Sequence, residues 1–400
     1  MADAASPKAK PRWLLLGGLG FLGRNIVKYL VDNELASCVR VVDKRAPFMA
    51  FLSPDYKAVV LDAQPPGLVE WVQADVSDDD MLENAFFGAA NAGAGPAPAA
   101  PGAPAPTWDF VINLVAETAL GKRDEFYEKA VAGASKSGAL AASLAASGAL
   151  RKYVLVSTAS VYKPGAAPSR EDAPLAPWTT VAEQMLRVEE ALRALGPALP
   201  LVVLRPALVY GPGDTNGLMP RCVVAATYTA PEPAQRERME MLWDGDVKLA
   251  TVHVFDVARA AVFAARKLPA GAVFNLADKG DSDAGKLTAL VARAFGIEAG
   301  FAGSIKSNMA ALRLDVVVDV TNENHLGQWL FLLKRHAIKN TPLSPFLHKQ
   351  LVAHNHLAVD GSAIEGAGFK YAVAEPTLDL VRDPIAQHIA QGLFPPVLAQ

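Results

Sequence analysis

Residues 12–45 read "RWLLLGGLGFLGRNIVKYLVDNELASCVRVVDKR". Trp13–Leu16 is an apolar run of strand length, and a glycine-rich turn follows it. Leu22, Ile26 and Leu30 then recur at four-residue spacing with Val27 and Val31 beside them, the mark of a helix with one buried stripe. "CVRVVD" is the next strand. Gly17, Gly20 and Gly23 stand three apart where strand passes into helix. The first allows a sharp turn, the second lets backbone approach a pyrophosphate, and the third lets helix and strand pack closely. The helix opens at Phe21 and Leu22, whose end presents unpaired N–H groups and partial positive charge to an anion. Asp43 closes the second strand about twenty positions on, where it should accept from ribose hydroxyls and repel a 2′-phosphate. The stretch predicts a dinucleotide site that favours NAD. Lys44 and Arg45 leave NADP open, since either could hold that phosphate, and both read equally well as a solvated loop.

Outward from this unit, strand patterns "LVEWVQAD", "WDFVINLVA", "KYVLVS" and "PLVVLRP" alternate with helical ones. That order predicts an α/β fold with a Rossmann-type, doubly wound parallel sheet. The 400 residues suggest one large domain and a smaller one. We expect a flexible N-terminus over 1–10 and a dinucleotide-binding domain over 11–210. A smaller, partly helical substrate-type domain follows over 211–400, interleaved with late Rossmann elements at about 247–277. Residues 88–107, rich in Ala, Pro and Gly, read as a mobile surface insertion. "SGALAASLAASGAL" is too short for a membrane span and reads as a core helix.

Half the chain is hydrophobic and a fifth charged, with a net charge of −3. That balance gives no basic face for nucleic acid. No apolar run reaches membrane-spanning length. Cys38 and Cys222 fit a reducing compartment as buried thiols. A cytoplasmic location is expected, with attachment to a cytoskeletal assembly or organellar import left open. His354 and His356 in "HNHL" lack further ligands at metal spacing, so no metal is expected.

Further segments, in order, resemble the extended short-chain dehydrogenase/reductase family of the NAD-dependent epimerase/dehydratase and 3β-hydroxysteroid dehydrogenase type. "QADVSD" resembles its Gly-Asp-(Val/Ile) segment and implies Asp75 and Val76 beside adenine. "VINLVAE" resembles the segment under the cofactor, implying Leu114, Val115 and Ala116 there. "YVLVSTASVYKPG" resembles its Ser-Ser-x-x-Val-Tyr-Gly strand end. "VVLRPALVYGPGD" is close to Leu-Arg-Pro-x-x-Val-Tyr-Gly-Pro-Gly and places Pro206 at the cofactor. "ATVHVFDVARA" resembles Val-His-Val-Asp-Asp-Val-Ala, with Phe255 replacing the first Asp. "AVFNLAD" and "LAVDGSAIEGAGFKY" extend the resemblance nearly to the end of the chain.

The resemblance implies chemistry by a Ser or Thr, a Tyr, and a Lys four residues after the Tyr. A free Tyr is a poor base at neutral pH, and a nearby Lys⁺ draws its pKa down. Thr158 stands at the Ser/Thr position. The pair should fall in "APWTTVAEQMLRVEEAL". Aligned on the Pro-Tyr start, Trp178 and Ala182 occupy the two positions. Aligned on Glu189 or Glu190, the occupants are Val181 or Ala182 and Met185 or Leu186. None of the eight tyrosines has Lys four residues later. The family's Asn-Val-x-Gly-Thr helix reads "AVAGA", with Ala130 at the Asn. Tyr162 and Lys163, being adjacent, should point to opposite faces of an extended segment. Glu117 after the fourth strand reads as a solvated loop residue, with reach into the pocket as the alternative.

Two functions therefore stand side by side. One is a dinucleotide-binding protein without catalysis, a structural or regulatory subunit of a respiratory, cytoskeletal or ciliary type of assembly. The other is an active NAD(P)-dependent oxidoreductase or epimerase on a steroid, sugar or other carbonyl or alcohol substrate, with an atypical acid or base. For the first, the run Trp329–Leu333, followed by Lys334 and Arg335, exceeds one helix stripe, so part of it is expected to face outward and offer an apolar contact with a basic rim to a protein partner, with packing on the substrate-type domain as the alternative.

Overall fold

The computed structural model describes residues 9–62, 68–88, 107–232 and 235–399. The expected insertion at 88–107 and the N-terminal segment 1–10 fall almost wholly outside them. Seven strands form one parallel sheet in the order Val69–Gln73, Cys38–Asp43, Arg12–Leu16, Phe110–Asn113, Lys152–Val156, Leu201–Pro206, Val273–Leu276. The order runs outward in both directions from the first strand, the doubly wound arrangement. Alternation along each strand separates two cores. Trp13 and Leu15 face one, together with helices Phe21–Asp32 and Val254–Lys267. Leu14 and Leu16 face the other, beneath helices Asp79–Phe87, Asp124–Ala146 and Thr180–Arg193. The first ten residues of the Ala-rich run, 137–146, form the end of helix Asp124–Ala146, with Ser137, Gly138, Ala141 and Leu144 inward. Because every strand is parallel, the loops after them gather at one edge.

A third core joins helices Met219–Thr227, Ala284–Phe295, Leu314–Arg335 and Leu378–Ala390. Phe394 is its hub, 5.4 Å from the ring of Trp329 and 6.0 Å from Phe295. The run expected to offer a contact around Trp329–Arg335 is divided between core and surface. Trp329 and Leu332 are 2% and 1% exposed and belong to this core, whereas Leu330 and Phe331 are 55% and 50% exposed. The run is inward at i and i+3 and outward between them, so only part of it is surface.

The tail is sewn back across the sheet. Strand Leu357–Val359 pairs in parallel with Gly165–Ser169. The Tyr371 hydroxyl donates to Gly361 O and accepts from the N–H of Ala277. Asp256 has no exposed surface, pairs with Arg259 at 2.6 Å, and accepts from the N–H groups of Ala372 (2.9 and 3.0 Å) and Val373 (2.8 Å). Among the described residues no helix is long and apolar enough to cross a membrane.

Candidate dinucleotide and active site

Gly17 turns the chain at φ +81°, and its N–H donates to Val42 O at 2.7 Å. A Cβ on Gly23 would lie 2.5 Å from Gly18 Cα, so helix Phe21–Asp32 can sit this close to the turn only with glycine there. Gly20 is the N-cap, with no side-chain cap, and a Cβ on it would meet only Gly17 O at 3.2 Å. Helix geometry leaves the N–H groups of Phe21, Leu22 and Gly23 without intrahelical acceptors. The result is a bare cradle of donors of the size and charge a pyrophosphate needs.

Asp43 locks the turn to the second strand. Its Oδ2 accepts from the Leu19 N–H at 3.1 Å and its Oδ1 from the Arg45 N–H at 3.0 Å. Oδ2 keeps a second lone pair, while Oδ1 also accepts the long bond from Arg45 Nε. Lys44 and Arg45 are exposed, and the Arg45 side chain reaches Asp43 at 3.5 Å.

The sequence alone did not single out Arg24. It is buried beneath the turn and donates to the carbonyls of Leu19 and Ala50, both at 2.8 Å, and of Gly20 at 3.2 Å. Burial lowers its pKa to about 10, which leaves it charged at neutral pH. A fixed cation under the cradle adds to the helix's partial charge in favouring an anion. The available signal was its place four residues after Gly20, one turn into the helix.

Asp75 and Val76 follow strand Val69–Gln73, beside the end of the Asp43 strand. Asp75 is exposed and accepts from the Ser77 N–H and Oγ. Desolvation raises its pKa, but the Ser77 donors and Lys44 together outweigh that and lower it. Val76 is buried against helix Asp124–Ala146, where a Cβ on Gly133 would come within 2.8 Å of its Cγ2. Leu114, Val115 and Ala116 are half-buried past strand Phe110–Asn113. The Leu114 N–H bonds Leu16 O and that of Val115 bonds Asn113 Oδ1. Pro206 ends its strand, buried. The fold thus brings all the dinucleotide candidates to one edge of the sheet.

The chemical position is different in character. Thr158 follows strand Lys152–Val156 and is half-buried, its Oγ1 accepting from the Ser160 N–H at 3.2 Å. Thr179 caps helix Thr180–Arg193 by accepting from the Ala182 N–H at 3.1 Å. Glu189 is buried and Glu190 exposed. Glu189 takes Arg205 in a two-point pair, Nε to Oε1 at 3.0 Å and Nη2 to Oε2 at 2.6 Å, and accepts from Ser157 Oγ at 2.6 Å. Glu189 is therefore the anchoring acid, and the register built on it places Val181 and Met185 where Tyr and Lys are expected. Met185 lies in the apolar core and Ala182 has no exposed surface. Trp178 and Val181 are half-buried. None of the four can take or give a proton.

Other candidates are committed elsewhere. The Tyr162 hydroxyl donates to Asn275 Oδ1 at 2.7 Å and accepts from Arg205 at 2.9 Å, and burial raises its pKa. Glu117 accepts from the Ala119 N–H, and its own N–H meets the buried Gln184 at 3.2 Å. Ala130 is buried. His253 caps helix Val254–Lys267 through the Phe255 N–H, with its pKa lowered by burial. His354 stacks on Trp243 at 4.7 Å, and His356 accepts from the Lys248 N–H. Gln350, from the tail, accepts from the Thr180 N–H at 3.2 Å, so the tail reaches the start of the helix that should carry the Tyr.

The NAD dependent epimerase/dehydratase family model matches residues 104–277, and the 3-beta hydroxysteroid dehydrogenase/isomerase family model matches residues 14–91. Over these two neighbouring stretches the chain resembles the extended short-chain dehydrogenase/reductase family. No curated protein sequence matches it significantly. Among solved structures, DesIV, a dTDP-glucose 4,6-dehydratase from Streptomyces venezuelae with NAD and TYD bound, is 18% identical with a TM-score of 0.65, over 96% of this chain and 99% of that one. The dTDP-glucose 4,6-dehydratase of Bacillus anthracis in complex with NAD is 15% identical with a TM-score of 0.62, over 95% and 97%. The UDP-glucose 4-epimerase of Thermus thermophilus, also with NAD, is 18% identical with a TM-score of 0.59, over 94% and 98%. These likenesses are of fold. Within the extended short-chain dehydrogenase/reductase frame, this chain has the glycine cradle and Thr158 but no Tyr-x-x-x-Lys pair.

Proposed function

We propose that this chain binds NAD(H) and serves as a non-catalytic structural or regulatory subunit of a larger cytoplasmic assembly of a respiratory or cytoskeletal type. The dinucleotide part rests on the cradle. Gly17, Gly20, Phe21, Leu22 and Gly23 would hold the pyrophosphate and Asp43 the ribose, with Lys44 beside it. Asp75 and Val76 would border adenine, and Leu114, Val115, Ala116 and Pro206 would line the nicotinamide side. A bound nicotinamide supplies hydride chemistry in general. Here it would stiffen a surface.

The loss of chemistry is carried by one observation. The acid that anchors helix Thr180–Arg193 is Glu189, and in its register Val181 and Met185 replace the proton-handling pair. The second reading, an active oxidoreductase or epimerase on a steroid, sugar or other carbonyl or alcohol substrate, draws on the half-buried Thr158 and on the activities of the structural relatives.

The cofactor reading is tested by thermal unfolding. NADH should raise the melting temperature of the wild type through linkage. Gly20 has an ordinary φ of −66°, and a Cβ there would press only on Gly17 O at 3.2 Å, a contact relieved by a shift of a few tenths of an ångström, so Gly20→Asp should fold while laying a carboxylate in the anion's path. Its melting temperature is expected not to respond to NADH. An undiminished response in Gly20→Asp would put the nucleotide elsewhere.

A further inference from the structure

Helix Leu314–Arg335 buries Val318, Asn322, His325, Trp329 and Leu332. At 100° per residue the direction opposite that stripe is centred on Gly327. Val316, Val320, Leu330 and Phe331 flank it outward, each at least 50% exposed. A Cβ on Gly327 would meet nothing within 4 Å. Glycine is disfavoured inside a helix, and nothing within this chain requires it at that place. A second helix crossing there would.

The charges on this outer side are arranged for such a crossing. Asp319 and Glu323 lie on one shoulder before Gly327, and Lys334 lies after it on the same shoulder. Among the described residues none of the three has an ion-pair partner. Glu323 and Lys334 are eleven residues apart, about 16 Å along the axis, so they cannot pair within one helix. Rotation by 180° about an axis at Gly327, perpendicular to the helix, brings the Lys334 of one copy beside Asp319 and Glu323 of the other. It also sets Val320 against Phe331. A groove of about 350 Å³ already exists at that shoulder, lined by Asp319, Glu323, Leu326 and Phe346. Its acidic rim and apolar wall suit a lysine, whose stem packs while its ammonium stays at the polar edge.

We propose that two copies of this chain associate through antiparallel packing of Leu314–Arg335 about Gly327, the Lys334 of each copy seated in the Asp319/Glu323/Phe346 groove of the other. The contact is isologous, as a closed dimer requires. It does not depend on whether the chain binds NAD or catalyses anything.

Sedimentation equilibrium of the full chain should give about twice 42.2 kDa. Lys334→Glu should yield monomer, and the swap Asp319→Lys with Glu323→Lys and Lys334→Glu should restore the dimer. Gly327→Cys should form a covalent dimer under mild oxidation, since Cys38 and Cys222 are buried. The proposal is overturned by a monomeric wild type. It is equally overturned by a dimer that survives Lys334→Glu, by a loss that the swap does not repair, or by no cross-link at position 327.

Discussion

Arg205→Leu is expected to cost about 3–5 kcal/mol of folding stability, because it strands a buried carboxylate. Arg205 and Glu189 are 3% and 1% exposed at the side chain, so solvent screens the pair little. The substitution removes both bonds to Glu189 and the one to the Tyr162 hydroxyl. Ser157 and the long, half-exposed contact from Arg193 at 3.4 Å would remain as its donors. Removing the acid as well, in Arg205→Leu with Glu189→Leu, should recover much of the loss, since a packed apolar pair avoids the desolvation cost. Urea unfolding of the two variants checks this. A loss under about 1 kcal/mol for the single variant would mean that water enters and hydrates Glu189.

No hydride transfer above the enzyme-free background is expected with NADH and sugar-nucleotide, steroid or ketone substrates. Positioned acid–base catalysis is worth about 10²–10⁴ in rate, and the residues at both of its positions are apolar in every register. Stopped-flow absorbance of NADH decides the matter, and rapid oxidation with any of these substrates would sink the non-catalytic reading. The buried Glu189 also says which restoration to try. Val181→Tyr with Met185→Lys follows its register, and since Met185 is 4% exposed in the apolar core, the new ammonium would have to be desolvated there, as it would at Ala182.

What the sequence disclosed was what depends on neighbours in the chain. The glycine turn, the helix it opens and Asp43 lie within 27 residues, and their spacing alone implies their geometry. The alternation of strand and helix patterns likewise revealed the parallel sheet. Arg24 escaped notice because its meaning lies in carbonyls from a different loop, those of Ala50 and Phe51. The choice between Glu189 and Glu190 could not be read locally, since it is made by Arg205 on one strand and by Ser157 just past the end of another. Helix Leu314–Arg335 misled for a third reason. Its buried stripe includes the polar Asn322, which bonds the backbone of Leu347, and His325, which meets Tyr228. Apolar periodicity therefore does not mark the inward side, and Trp329 looked like surface.

Asp256 has a consequence for the making of the protein. Its acceptor sites are filled by Ala372 and Val373, 116 and 117 positions further along the chain. At about 5–20 residues per second, the ribosome needs roughly 6–23 s to supply the 116 residues between Asp256 and Ala372. Throughout that interval Arg259 is the local partner of the carboxylate and water must fill its other acceptor sites, so helix Val254–Lys267 is expected to close fully over the sheet only late. The nascent chain therefore waits with apolar surface uncovered, and its locking comes long after the sheet itself has been synthesised.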